Sequence, residues 1–324
     1  MIVRIILIFF ILSHALTFPV WGEQLKKVVF VPQWFPQAQF AGYYVAKEKG
    51  IYKKYGIDIT ILRGGPDYIP SVMLTRGKAD FTTMFLSTAI QKRTMGIRLV
   101  NIAQITQRSG FILVAKKARG ILAPKDLNGK KVGLWSDFQL QPLAFFRKCG
   151  IKVRAVPQSA TVNLFLRDGV DVASAMWYNE YHVILNAGID EDELTTFFFD
   201  TYGLNFPEDG IYCLEETLKK DRQLCRNFVK ASIEGWQYAF EHPEEALDIV
   251  MKYISEANID TNRVHQKWML NRMRGLILPA GKDTSMGTLN KEDYNTVVRE
   301  LTLGGIIKKI PPFGEFYVNC AREK

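Results

Sequence analysis

The chain has 324 residues, of which 48% are hydrophobic and 23% charged, and its formal net charge is +9 at pH 7. This balance is typical of a globular protein. The positive charge does not indicate a nucleic-acid-binding protein, because the lysines are scattered at predicted turns and helix ends and form no basic block.

The N-terminus has the pattern of a secretory signal peptide. Residues 1–4 carry one positive charge, residues 5–12 are a continuous apolar run, and small Gly22 ends the segment that follows. The run is much shorter than the ~20 residues that span a bilayer. We therefore predict that residues 1–22 are cleaved and that the mature protein is soluble in the periplasm. A retained signal anchor is the alternative.

The remaining ~300 residues exceed what one hydrophobic core usually holds, which predicts two lobes. After the signal segment, predicted strands alternate with helical patterns; the strands are "KVVFVPQW", "IDITILRG", "ADFTTMF" and "LVNIAQI". Such alternation predicts an α/β fold with a mostly parallel sheet and helices on both faces. Ligands of this architecture bind at the carboxyl ends of the strands.

The pattern changes near residue 110, where the strand "GFILVAKK" is not followed by a helix. A second α/β set runs from "KVGLWS" to "NEYHVILNAG", and long helical patterns follow "GIYCLEE". We predict that the chain crosses between the lobes twice, with residues 23–118 and 206–324 in lobe 1 and residues 119–205 in lobe 2. A hinge of two segments would let the lobes close on a ligand. Two sequential domains are the alternative.

The cysteines and histidines do not form a recognisable site. The four cysteines lie far apart without a CxxC pair, and no histidine has partners at metal-ligand spacing. We expect no metal and no cofactor. One disulfide is possible in an oxidising compartment, with a pairing that the sequence does not give. The motifs GxSxG, HExxH and GxxxxGK are absent, which favours a binding protein over an enzyme.

The first strand-to-helix turn supplies a cluster of candidate ligand-binding residues. Trp34 and Phe40 can stack on a planar ligand, and Gln39 can donate and accept hydrogen bonds at once. Tyr44, in the helix that follows, is a further candidate. The alternative is that these aromatic side chains pack in the core.

Three more candidates follow later strands of the predicted first lobe, namely Asp67, Phe85 and Ser87. Each lies where a strand ends and a helix begins, so backbone amides and side chains can face a cleft. Ordinary capping of the helix N-terminus is the alternative for the two polar residues.

In the predicted second lobe, Ser136, Asp137 and Phe138 occupy a strand-to-helix turn. A helix start attracts anions, but Asp137 would repel one, so this turn favours a neutral or cationic ligand.

The stretch "SAMWYNEYHVIL" suggests a specific ligand chemistry. Glu180 can accept a hydrogen bond from an exocyclic amine, Asn179 can bond a ring nitrogen, and Trp177 can stack on the ring. The alternative for Glu180 is ordinary compensation of the helix dipole. Asp209 and Tyr212, beside the return crossing, are candidates to close the pocket.

Five stretches resemble, in order and over nearly the whole mature chain, the substrate-binding proteins of ABC transporters; they are "QWFPQAQFAGYYVAKEKGIYKKYGIDITIL", "RGKADF", "DLNGKKVGLW", "VDVASAMWYNEY" and "NFVKASIEGWQYAFEHPEEALDIV". Within these proteins, the chain is most similar to the branch related to thiamine-pyrimidine synthases. The resemblance implies a type II periplasmic binding protein fold, an ABC permease of the inner membrane as partner, and a monomer. It also implies a planar ligand, of which a thiamine-precursor aminopyrimidine is preferred and a flavin or a sulfonate remains open.

The enzymes of that branch consume pyridoxal phosphate held on a lysine and one of their own histidines, and they use iron and a cysteine-rich motif. In the segment after "GKAD", Met84 and Thr88 stand approximately where the lysine and the histidine would be, and Cys213 stands alone. We therefore expect no synthase activity. A ligand-sensing protein that serves a membrane receptor is the remaining alternative.

Overall fold

The computed structural model describes residues 24–279 and 286–322, so the predicted signal segment lies outside the described residues. The strands are β1 (Lys26–Val31), β2 (Ile57–Ile61), β3 (Phe81–Met84), β4 (Leu99–Gln104), β5 (Phe111–Lys116), β6 (Lys131–Leu134), β7 (Arg154–Pro157), β8 (Val172–Met176), β9 (Leu194–Phe198) and β10 (Gly210–Leu214).

The helices fall into two groups by lobe. Those packed around β1–β4 and β10 are α1 (Ala41–Glu48), α2 (Ile51–Lys54), α3 (Pro70–Thr75), α4 (Leu86–Thr94), α8 (Glu215–Lys220), α9 (Arg222–Glu241), α10 (Pro243–Glu256), α11 (Arg263–Ile277), α12 (Lys291–Leu303) and α13 (Phe313–Phe316). Those of the second lobe are α5 (Leu140–Cys149), α6 (Asn163–Leu166) and α7 (Glu180–Asn186).

The two lobes have the same sheet topology. The first sheet has the order β2-β1-β3-β10-β4 and the second the order β7-β6-β8-β5-β9. In each sheet two pairs of neighbouring strands are parallel and two are antiparallel, because one strand, β10 or β5, runs antiparallel to both of its neighbours. That strand is the first one after a crossing between the lobes. The predicted two-lobed α/β fold is therefore confirmed.

The first crossing lies earlier than the predicted boundary after residue 118. β5 pairs with β8 and β9 in the second sheet, so the chain crosses at residues 105–110 and returns at residues 203–209. The side chains of β5 are almost entirely buried, because they fill the core of the second lobe from the centre of its sheet.

None of the four cysteines is part of a disulfide. Cys213 on β10, Cys225 on α9 and Cys320 near the C-terminus are buried in the first lobe, and Cys149 at the end of α5 is half-buried. The disulfide that the sequence left possible is not formed. Within residues 24–279 and 286–322, no helix combines the length and apolar character needed to cross a bilayer.

Two glycines let α1 and α9 approach each other closely. A Cβ atom on Gly235 would lie 2.2 Å from the carbonyl oxygen of Gly42, and one on Gly42 would lie 2.3 Å from the ring of Trp236. Backbone contacts this close leave no room for a methyl group. The α1–α9 interface therefore positions α1, which follows the first strand-to-helix turn.

We expect Gly235→Ala to lower the free energy of unfolding by about 2 kcal/mol, because the added methyl group overpacks the α1–α9 interface. Gly275→Ala is the matched control: this glycine is exposed in α11, and a Cβ there meets no atom within 4 Å. The control should be stabilised by about 0.5–1 kcal/mol, because alanine favours a helix over glycine. Urea unfolding of both variants measures the difference, and equal stability of the two would contradict the prediction.

Candidate functional site

A cavity of about 650 Å³ lies between the two lobes, at the carboxyl ends of β1, β3, β6 and β8. The lobes touch beside it, because the ring centroids of Phe85 and Phe138 are 5.0 Å apart. The predicted ligand-binding residues that line this cavity are Trp34, Gln39, Phe85, Ser136, Asp137, Phe138, Asn179 and Glu180. They come from both lobes, so the cavity can enclose a ligand only when the lobes are together.

A second depression, of about 700 Å³, lies on the first lobe beside α8. Its central carboxylate, Glu215, already pairs with Arg93 at 2.9 Å and Arg98 at 2.7 Å. The interlobe cavity is the better candidate site, because it gathers aromatic and amide groups from several strand ends.

A buried carboxylate orients the glutamines of the first strand-to-helix turn. Gln39 Nε2 donates to Asp209 Oδ2 at 2.7 Å, and Gln33 Nε2 donates to Asp209 Oδ1. Gln37 Nε2 in turn donates to Gln39 Oε1. Among the described residues, no donor is bonded to Oε1 of Gln33 or of Gln37, although both residues line the cavity. This side of the cavity therefore offers hydrogen-bond acceptors to a ligand.

Asp209 itself does not line the cavity, which corrects its predicted role in closing the pocket. It lies behind the glutamines in the return crossing, with 2% of its surface exposed. Burial raises the pKa of Asp209 to about 7, and the hydrogen bonds from the two glutamines oppose that rise. Its two hydrogen bonds fix the direction of the Gln33 and Gln39 amide groups.

The alternation of side chains at the end of β8 decides which residues reach the cavity. Met176 and Tyr178 line it, whereas Trp177 between them points to the other side of the chain. The Trp177 ring lies 5.5 Å from that of Phe198 and 4.5 Å from the Arg272 guanidinium. The predicted stacking of Trp177 on a ligand is thus corrected, and Tyr178 is the aromatic residue of this strand end that a ligand can contact.

Glu180 is a buried carboxyl group in the cavity wall, at the first position of α7. Its Oε2 accepts a hydrogen bond from the Met176 backbone N–H at 2.8 Å, and its Oε1 accepts one from Asn179 Nδ2, also at 2.8 Å. Burial raises the pKa of Glu180 to about 7. A ligand amine that donates to this group would favour its ionised form.

A third buried acid joins the two crossing segments beneath the cavity. Glu208 Oε1 accepts hydrogen bonds from the Gly110 N–H at 2.6 Å, the Phe111 N–H at 3.0 Å and Ser109 Oγ at 3.0 Å. Burial and the nearby Asp209 raise the pKa of Glu208 to about 8. Tyr178 is buried against Glu208, and burial with this carboxyl group raises the pKa of the Tyr178 hydroxyl well above its usual value.

The remaining predicted residues do not line the cavity. Phe40 and Tyr44 are fully buried in the first core, where Tyr44 stacks on Tyr253 with centroids 4.3 Å apart. Tyr212 is buried on β10, and its hydroxyl accepts from Asn101 Nδ2 at 3.1 Å. Two polar candidates also fail to reach the cavity, namely buried Ser87 and exposed Asp67.

Several lining residues were not predicted. The expectation that ligands bind at the carboxyl ends of strands, here called the strand-end rule, would have identified Gln158 if it had been applied to every strand, because Gln158 directly follows β7. The Gln158 amide bonds to the backbone of Ser174. Tyr178 would have followed from the two-residue period of β8. Gln33 and Ser159 lie two residues after the ends of β1 and β7, so the strand-end rule would have found them too. The others carry no signal in the sequence that marks them as lining residues, and they include Gln37, Ser71, Gln91, Lys92 and Gln139.

Comparison with known proteins gives matches over most of the chain. The model of the family described as NMT1/THI5 like matches residues 37–246. The riboflavin-binding protein RibY of Chloroflexus aurantiacus is 25% identical over 246 residues, which are 72% of this chain and 68% of RibY. The formylaminopyrimidine-binding protein of Halalkalibacterium halodurans is 20% identical and matches 73% of each chain.

Some similar proteins are named as enzymes. The 4-amino-5-hydroxymethyl-2-methylpyrimidine phosphate synthase of Legionella pneumophila is 22% identical over 69% of this chain and 73% of its own. Among solved structures, the periplasmic aliphatic sulphonate binding protein SsuA of Escherichia coli superimposes with a TM-score of 0.74 at 14% identity, over 92% of this chain and 94% of SsuA. The fold is therefore that of the periplasmic binding proteins.

Proposed function

Because the chain belongs to the NMT1/THI5-like family, we propose that it is the extracytoplasmic solute-binding protein of an ABC importer and that its ligand is a planar, amine-bearing heterocycle. A thiamine-precursor aminopyrimidine is the preferred ligand. The lobes would close on it and present it to a permease in the membrane.

The observation that carries this proposal is the buried Glu180 carboxyl group in the cavity wall, facing a set of orienting amides. Each Glu180 oxygen accepts one hydrogen bond and can accept a further one, and no cation among the described residues pairs with this carboxyl group, so the site favours a ligand that brings N–H groups. Tyr178, Phe85 and Phe138 supply flat apolar surface for a ring. The formylaminopyrimidine-binding relative is consistent with this chemistry.

A flavin is the second candidate, and the size of the cavity favours it. About 650 Å³ lies in the range of ~300–1,000 Å³ typical for drug-sized ligands, and a single pyrimidine ring would fill only part of it. The amide-rich lining can also bond the hydroxyl groups of a polyol chain. The riboflavin-binding relative supports this alternative.

An enzymatic role is less well supported by the lining. Among the described residues, the cavity wall contains no histidine and no cysteine, and its one lysine, Lys92, lies on α4 beside Gln91. Met84 and Thr88 both line the cavity, where the sequence comparison with the synthases placed their lysine and histidine. These residues do not fit a pyridoxal phosphate that is bound as an imine and consumed. We therefore propose binding without catalysis.

The proposed function is tested by calorimetric titration of the purified protein with a panel of ligands. The panel contains 4-amino-5-hydroxymethyl-2-methylpyrimidine, its formylamino precursor, riboflavin and, as a matched anionic control, an alkanesulfonate. We expect a Kd in the micromolar range or lower for one of the heterocycles and no binding of the sulfonate, because the buried acids of the site disfavour an anion. Tight sulfonate binding without binding of any heterocycle would contradict the proposal.

A further inference from the structure

Two histidines from different lobes meet beside the cavity. His182 lies on α7 of the second lobe, and His265 lies on α11, which packs on the first lobe. Their Nδ1 atoms are 2.9 Å apart, and both residues are 7% exposed. The other ring nitrogen of His265, Nε2, is 2.8 Å from Asn179 Oδ1.

The hydrogen bonds of this group have one consistent direction. Asn179 Nδ2 donates to Glu180 Oε1, so Asn179 Oδ1 is an acceptor and His265 Nε2 must carry the proton that it receives. In a neutral His265, Nδ1 is then an acceptor, and His182 Nδ1 must donate to it. The Asn186 amide, whose Nδ2 is placed 3.3 Å from the same His182 Nδ1, must then turn its oxygen toward that proton. In this arrangement the two neutral imidazoles are opposite tautomers, in a chain of donors that ends at the Glu180 carboxylate.

Helix α11 is attached to the first lobe and contacts the second. Gln266 Oε1 accepts from the Ala38 N–H at 2.7 Å, which fixes α11 to the first strand-to-helix turn. On its other side, the Trp268 ring stacks on His182 with centroids 4.7 Å apart, and Trp268 Nε1 donates to the Trp177 carbonyl oxygen at 3.1 Å. Opening the lobes would separate α7 from α11 and break the contacts of His265 with the second lobe.

We propose that His265 is a positioning residue that couples closure of the lobes to the orientation of Asn179 and Glu180. In the closed arrangement, His265 fixes the Asn179 amide, which then directs its Nδ2–H group to Glu180 and turns that carboxylate toward the cavity. The proposal rests on the proposed function in one respect, namely that Glu180 contacts the ligand. The interlobe histidine pair, His182 and His265, is a property of the closed structure whatever the ligand is.

The pair also makes closure sensitive to acid. Burial and the neighbouring imidazole lower the pKa of His265 to about 4, and burial followed by the Arg272 charge lowers the pKa of His182. A protonated His265 would direct its Nδ1–H group at the Nδ1–H group of His182, so two donors would face each other and the hydrogen bond between the lobes would be lost. The closed arrangement therefore keeps its full advantage above the ordinary imidazole value of 6.5 and loses it as the pH falls toward 4.

The charged groups around the pair act in both directions, because the Arg272 cation disfavours a protonated imidazole whereas an ionised Glu180 favours one. Glu180 faces it through Asn179, and Arg272 lies over the Trp268 ring at 4.0 Å. On α10, Glu244 and Asp248 are engaged by Arg263 on the exposed side of α11, and Glu244 also pairs with Lys267. The 3-10 turn Ala38–Phe40 brings no charged side chain to α11.

A ligand-free measurement tests the pair directly. In the protein purified without a histidine tag and labelled with ¹⁵N-histidine, NMR at pH 7.5 should show His265 as the Nε2–H tautomer and His182 as the Nδ1–H tautomer. Exposed His242 provides the reference signal. Finding His265 as the Nδ1–H tautomer, or finding it protonated at pH 6, in protein whose lobes are closed by small-angle scattering would overturn the proposal even if the protein binds none of the proposed ligands.

Variants then test the positioning role with the heterocycle that binds most tightly in the panel. His265→Gln can still donate to Asn179 and should keep the affinity at pH 7.5 within about threefold, but its affinity should fall less than that of the wild type between pH 6.5 and 5, because only the contribution of Glu180 remains. His265→Leu should weaken binding about tenfold or more, and His242→Leu should leave it unchanged. Wild-type affinity in His265→Leu, or an unaltered pH profile in His265→Gln, would overturn the proposal; the second measurement serves if the leucine variant does not fold.

Discussion

Glu180→Ala is expected to reduce ligand affinity by about 100-fold or more. The substitution removes the proposed acceptor for a ligand amine and leaves the Met176 N–H and the Asn179 amide without their shared partner. Loss of a charged hydrogen bond, together with unsatisfied buried donors, is worth about 3 kcal/mol. Calorimetric titration with the best ligand of the panel measures the effect.

Glu180→Gln removes the charge of the side chain but keeps its size and shape, so it tests the contribution of the charge to ligand affinity. The amide keeps one acceptor oxygen, so we expect a loss of about tenfold and no change in fold. Because burial raises the pKa of Glu180 to about 7, the carboxylate needed by an amine forms as the pH rises through that value. Wild-type affinity should therefore increase from pH 6 to pH 8, and this increase should be absent in Glu180→Gln.

Asp137→Asn is the matched control for loss of a carboxylate. Asp137 also lines the cavity but is exposed at the start of the turn before α5, where water screens its charge. Its removal should change the affinity by less than about threefold. If Asp137→Asn reduced the affinity as much as Glu180→Ala does, ligand affinity would depend on the net charge of the site and not on a buried acceptor.

The fold was predictable because its evidence is local in sequence. Most strands are short apolar runs next to a helical pattern, and the alternation of the two specifies layered α/β lobes. The position of the first crossing was not predictable in the same way. The missing helix after β5 marks a change in the pattern near residue 110, but only the pairing of β5 with β8 and β9 assigns this strand to the second lobe.

The strand-end rule also found part of the site, and its failures have a common cause. It placed Phe138 and Glu180 in the cavity wall, because each lies four residues after the end of a strand of the second sheet, in or next to the turn that faces the cavity. It failed for Trp177, where the side-chain alternation turns one residue away from the cavity while its neighbours enter it. The rule finds the right turn but does not tell which side chains of that turn face the ligand.

Contacts between residues that are distant in sequence could not be predicted. His265 lies 86 positions from Asn179, and Asp209 lies 170 positions from Gln39, yet each pair is joined by a hydrogen bond of less than 3 Å. Such contacts are fixed by the two crossings and by the path of the C-terminal helices. A histidine in a helix without a metal-like spacing gives no sign in the sequence that it meets another lobe.

Glu208→Ala is expected to lower the free energy of unfolding by about 3 kcal/mol or more. Glu208 is 1% exposed, and three donors of the outgoing crossing, on Ser109, Gly110 and Phe111, converge on its Oε1. Alanine would leave the buried Gly110 N–H without an acceptor, at a cost of about 1–3 kcal/mol, whereas Ser109 Oγ could still donate to Gln141 Oε1 and the Phe111 N–H to Ser109 Oγ. The space left by the Glu208 side chain adds to this cost. The same bonds join the two crossing segments, so the variant should also have a less rigid hinge. Urea unfolding measures the loss, and Glu216→Ala, at an exposed position of α8, should change stability by less than about 0.5 kcal/mol.

Glu208→Gln tests whether ionisation of Glu208 lowers the stability of the folded protein at high pH. The pKa of Glu208 is raised from 4.5 to about 8 by burial and by Asp209, so the folded protein binds a proton here more tightly than the unfolded chain. Its contribution to stability is complete below pH 4.5 and is lost as the pH rises through about 8. Glutamine keeps the Oε1 acceptor and cannot ionise. The stability of Glu208→Gln relative to wild type should therefore increase from pH 5 to pH 8.5 in urea unfolding. A difference that stays constant over this range would mean that Glu208 is already ionised in the folded protein, held by its three donors.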